Sequence, residues 1–100
     1  MTREEAFDSL TKTEIPEHLH GGLVRYVVSG IRPGGFLCAC ICLNTEEAVM
    51  RAADETTKRS IPVITTWLLT EAPEEIVGTP ELMEAWILTK AKERTYAARR

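Results

Sequence analysis

Apolar residues recur at helical spacing along most of the chain, and Pro, Gly and Asn mark the breaks between segments. From Pro16, a residue pre-set for a first helical turn, Leu19, Leu23 and Val27 follow at four-residue spacing and predict a helix that stops at Gly30. Gly21 and Gly22 would each weaken that helix by about 1 kcal/mol relative to Ala, so they signal close approach of another backbone or a ligand. Residues 29–35 read as a loop, with Pro33 restricting the backbone and Gly30, Gly34 and Gly35 freeing it. The continuous apolar run 36–43 fits two descriptions. It pairs with residues 23–28 as a buried hairpin, or it forms a short buried helix ending at Asn44.

Asn44 supplies a polar cap with an acid three residues on and predicts a helix over 45–57 that buries Ala48, Val49, Ala52 and Ala53. Residues 60–62 restart the chain into a helix carrying Ile61, Ile64, Trp67 and Leu68 and ending near Glu71, with Trp67 as the main core anchor. Thr79, Pro80 and Glu81 cap a last helix with Leu82, Met83, Trp86 and Ile87 on its apolar face. Phe7 and Leu10 make too brief a pattern, so residues 1–14 read as a mobile arm. The expected class is all-α: a bundle of about four or five short helices over 15–89, with 90–100 a basic helix end or tail. The alternative is α+β, with the hairpin over 23–43.

With 100 residues, 44% of them apolar and 27% charged, the chain has the size and balance of one folded domain. Its acidic start lacks a signal peptide's basic and apolar regions, and no apolar run approaches the roughly 20 residues a membrane span needs. Cys38, Cys40 and Cys42 are too close together for an ordinary disulfide framework and suit a reducing cytosol. Residues 1–89 carry seven basic against fourteen acidic residues, which argues against nucleic acid as a partner. Residues 90–100 carry five against one, as suits the end of a helix dipole. A domain with only 6% aromatic residues gains apolar burial by self-association, so a homo-oligomer is expected.

The string of residues 15–37, then 46–55 and 67–73, resembles a family of small uncharacterised proteins carried by tailed bacteriophages and prophages. The matching positions begin with Ile15, Pro16, His18, Arg25, Tyr26, Gly30, Pro33, Gly34, Phe36 and Leu37, and continue through Ala48, Arg51, Ala52 and Asp54. Further matches are Trp67, Leu68, Glu71, Ala72, Pro73, Gly78, Pro80, Glu81, Ala85 and Trp86. The chain departs from that pattern where relatives carry a Cys-Trp pair, here Ile76-Val77, and an Asn-Asp-Leu, here Asn44-Thr45-Glu46. The resemblance implies a phage origin and a helix through residues 36–43, and brings no activity with it.

The chemistry on offer is sparse. The three cysteines lack the second pair that a structural zinc site needs, and His18 and His20, two apart, cannot share a helix face, so no metal is expected. No nucleophile, base and orienting group announce themselves, and the acid pairs fall where solvated carboxylates are expected. The loop Arg32, Pro33, Gly34, Gly35 is different, because backbone N–H groups beside an arginine suit a phosphate or carboxylate. Arg25 and Tyr26 precede it and offer an ion pair and a stacking ring, and His18 can join them. The expected ligand-binding set is therefore His18, Arg25, Tyr26, Arg32, Gly34 and Gly35, without a cofactor. The expected function is that of a non-enzymatic phage accessory protein in the host cytoplasm, countering host defence. It would either hold a nucleotide-like signal between subunits or block a host protein; the alternative is a small DNA-binding regulator.

Overall fold

The computed structural model describes residues 1–98, and among them it contains seven α-helices and no strand. The helices are α1 (Arg3–Thr11), α2 (His20–Ser29), α3 (Gly35–Ile41), α4 (Thr45–Arg51), α5 (Glu55–Arg59), α6 (Ile61–Glu71) and α7 (Pro80–Ala98). Single 3₁₀ turns at Glu17–Leu19 and Glu74–Ile76 lead into α2 and α7. The all-α class matches the expectation, whereas the helix count exceeds it.

Three local readings change. The hairpin over 23–43 gives way to helix: Cys38 N–H donates to Gly34 O and Cys42 N–H to Cys38 O, both at 3.0 Å. Leu37, Ala39, Cys40 and Ile41 are all buried, so α3 is apolar around most of its circumference, which is why its sequence shows no clear period. Residues 1–14 are not a loose arm. Thr2 Oγ1 accepts from Glu5 N–H at 3.1 Å while Glu5 Oε1 accepts from Thr2 N–H at 2.9 Å, a capping box that starts α1. Ala6 and Leu10 are then fully buried, and Ser9 Oγ accepts from Trp67 Nε1 at 2.9 Å. The single helix expected over 45–57 is two, because Ala52 turns extended and Asp54 Oδ1 accepts from Thr57 N–H at 2.7 Å, beginning α5. Of the four residues expected to be buried there, only Ala48 is, and Val49 is exposed.

The two later helices follow the sequence pattern closely. Ile61, Ile64, Trp67 and Leu68 are the buried residues of α6. Thr79 Oγ1 accepts from Leu82 N–H at 3.1 Å to start α7, which buries Met83 and half-buries Leu82, Trp86 and Ile87. Residues 90–98 continue α7; Arg99 and Arg100, the last of the basic end, lie outside the described residues.

Tyr26, not Trp67, is the largest fully buried side chain. Its hydroxyl donates to Ile76 O at 2.5 Å and its own carbonyl accepts from Trp86 Nε1 at 2.8 Å, tying α2 to the turn before α7 and to α7 itself. Gly30, at φ 61°, lets α2 end directly against α7, where an added Cβ would lie 2.6 Å from Lys90 Cβ and 3.2 Å from Trp86 O.

Candidate functional site: an arginine-rimmed groove

The turn before α2, the outer face of α2 and the loop into α3 enclose a groove of about 380 Å³. His18, Arg25 and Arg32 form its polar rim, with Gly34 and Gly35 at the loop. Leu19, Ile31, Phe36 and Leu37 give it an apolar floor. Five of the six residues expected from sequence therefore share one concave surface. Tyr26 does not: it is fully buried in the core, and burial drives its phenol well above the ordinary value and keeps it a hydrogen-bond donor. Stacking on a ligand is excluded for it by position.

Three glycines in or beside the groove give room to neighbouring side chains. A Cβ on Gly22 would lie 2.8 Å from Leu37 Cδ1, so the close approach signalled by that residue is α3's leucine packing on α2. A Cβ on Gly21 would lie 2.9 Å from Arg25 Nη1, which places the guanidinium folded back over the start of its own helix. Gly35 has the same relation to Arg51, whose Nη1 would lie 2.7 Å from an added Cβ. Gly34 faces open space.

The cations of the groove differ in how far they are neutralised. Arg32 Nη2 donates to Glu84 Oε2 at 2.6 Å, with both side chains about half exposed (51% each). That hydrogen bond raises the guanidinium's affinity for its proton and holds the Glu84 carboxyl below the usual carboxylate range. Arg51 Nε pairs with Glu47 Oε1 at 2.5 Å. The Asp54 carboxyl is held below its ordinary value mainly by the Thr57 amide it caps, with a small contribution from nearby His18. Arg25 is exposed, and among the described residues no carboxylate or carbonyl pairs with its guanidinium. Glu47 and Asp54 are committed to Arg51 and to the α5 cap.

Sequence reasoning missed Arg51 and Glu84. Arg51 lies one helix away from the loop it touches, and Glu84 stands 52 residues from Arg32, a pairing that no local pattern encodes.

The remaining chemistry-bearing groups are otherwise engaged. A cleft of about 420 Å³ is lined by Phe7, Thr11, Glu17, His20 and Gly21, but His20 Nε2 there is hydrogen-bonded to Ile15 O at 2.8 Å. Cys40 is buried, which pushes its thiol up to about 12, and burial also raises the half-buried Cys38 and Cys42, so all three are thiols and not thiolates near neutral pH. Among the described residues no group of three or more His, Cys, Asp or Glu is placed to hold a metal ion. None of the helices formed by those residues is long and apolar enough to cross a membrane. Comparison with protein-family models, with curated proteins and with solved structures finds no match to this chain.

Proposed function

We propose that this chain is a non-enzymatic binding protein whose groove takes a small anion bearing an apolar body, such as a nucleotide. The observation that carries the reading is the exposed guanidinium of Arg25, free of any acidic partner among the described residues, on the rim of an apolar-floored groove. An arginine without a counter-charge beside a concave apolar surface is the simplest arrangement for orienting such a ligand. The groove's volume of about 380 Å³ falls at the small-molecule end of known ligand sites. With the phage resemblance, this favours a phage-encoded accessory protein in the host cytoplasm that withdraws a nucleotide signal from a defence pathway. A homo-oligomer would serve that role by closing the open side of the groove.

Calorimetric titration with nucleoside monophosphates and cyclic nucleotides tests the reading. The expected result is saturable binding that Arg25→Ala weakens by about ten-fold or more, the effect of losing one charge-assisted contact, with an unchanged circular dichroism spectrum and melting temperature. Absence of binding by the unmodified protein, or undiminished binding by the variant, contradicts it.

A second reading, that the protein blocks a host protein, draws on the exposed acids Glu4, Glu5, Glu46, Glu74 and Glu75, which give the body a negative surface outside the groove. Its mark would be a host partner lost on raising the salt and indifferent to Arg25→Ala. The DNA-binding alternative rests only on the basic end of α7, and an absent mobility shift with duplex DNA at low salt would end it.

A further inference from the structure

Arg32 is the rim cation that a ligand cannot reach unopposed. It sits in the loop between Gly30 and Gly34, and its guanidinium is held across the fold by Glu84 of α7 at 2.6 Å. We infer that Glu84 is a built-in competitor for the ligand: an anion entering the groove takes Arg32 from it, and the groove thereby selects phosphate monoesters over carboxylates. The inference rests on the anion-binding reading above.

Three observations carry it. The ion pair is half exposed on both sides, so it is weak enough for a ligand to displace. Arg32 lines the same groove as Arg25, which has no carboxylate partner among the described residues, so an incoming anion meets one free cation and one that must be exchanged. Exchange of one carboxylate for another at Arg32 is close to balanced, and a monocarboxylate therefore gains only what Arg25 offers. A phosphate monoester carries about −1.5 to −2 charges near pH 7 and three acceptor oxygens, so it outbids Glu84. The apolar floor at Ile31 and Phe36 leaves room for a ring attached to the phosphate.

Phenyl phosphate and benzoate are the probes that separate these terms, titrated calorimetrically into the full chain. Phenyl phosphate should bind more tightly than benzoate. Glu84→Gln should tighten phenyl phosphate binding about two- to five-fold, the range set by an exposed ion pair. Arg32→Gln should weaken it, and the Glu84→Gln/Arg32→Gln double variant should bind like Arg32→Gln alone, because the competitor acts only through Arg32. Both side chains are half exposed, and circular dichroism verifies that each variant keeps its helices.

An equal gain from Glu84→Gln in the Arg32→Gln background would mean that only a repelling charge had been removed, and would overturn the competitor role. Binding by the unmodified chain with no change in Glu84→Gln would overturn it too, leaving the anion-binding reading in place. Equal affinity for benzoate and phenyl phosphate would overturn the phosphate preference. No binding of either probe to the unmodified chain or to Glu84→Gln would remove the underlying reading itself.

Discussion

At the residue scale, Tyr26 shows how one side chain can carry a structural meaning where its neighbours in sequence suggest a ligand. Beside Arg25 and ahead of a Gly-rich loop, an aromatic residue looks like a stacking platform. Whether it faces the groove or the core depends on the helix's rotation, and that is set by packing against Ile76 and Trp86, each at least 50 residues away in sequence. Tyr26→Phe should destabilise the fold by about 1–3 kcal/mol, the cost of leaving the buried Ile76 carbonyl unpaired, as measured by urea unfolding near pH 7. The pH dependence follows from the direction of the shifts. Tyr26 and Cys40 both hold their protons more tightly folded than unfolded, Tyr26 from an ordinary value of 10.0 and Cys40 from 9.0 to about 12. Their stabilisation is thus complete below about pH 9 and is lost as the pH rises toward 12. Stability should fall across that window, and less steeply in Tyr26→Phe; a flat profile in the unmodified chain would contradict the burial of both groups.

At the element scale, sequence signals are clearest where a helix-start residue, a first-turn proline or a cap, agrees with an apolar stripe. Pro62 with Ile61, Ile64, Trp67 and Leu68 marked α6, and Thr79 with Pro80 marked the start of α7. They failed where a cap stood without a stripe long enough to weigh, as at Thr2 and Glu5, or where a second cap, Asp54, lay inside a helical stretch. The apolar run of α3 was ambiguous because a helix buried on most sides has no polar face to betray its period. Thr2→Ala should cost about 1 kcal/mol and raise amide exchange over Arg3–Thr11 specifically, by hydrogen-exchange measurement; uniform exchange rates in the variant would argue that α1 is held by its packing alone. Gly30→Ala should cost roughly 2–4 kcal/mol, combining left-handed backbone strain with a clash against Lys90 and the Trp86 carbonyl. A melting temperature equal to that of the unmodified chain would show that α2 and α7 do not meet as closely as 2.6 Å implies.

At the scale of the whole molecule, the groove exists because α3 packs on α2 through Leu37 and Gly22 while the loop between them is tied outward to α7 by Arg32. The rim residues could be named in advance because they lie in two short stretches, 18–25 and 32–35, that a helix and its following loop bring together locally. The state of their charges could not. That Arg32 is countered by Glu84, 52 residues away, follows only from how α7 is laid against that loop, while among the described residues Arg25 has no acidic partner and Arg51 is paired with Glu47 one turn earlier in its own helix. A phosphate monoester titrated into the ¹⁵N-labelled chain, followed by amide chemical shifts, locates any ligand on the fold. Saturable shifts should cluster at Gly22, Gly34, Gly35 and Phe36, with the Arg25 and Arg32 side-chain Nε–H signals moving at the same concentrations. Shifts confined to the cleft beside Phe7 and His20, or none at millimolar ligand, would contradict the assignment of this groove as the binding site.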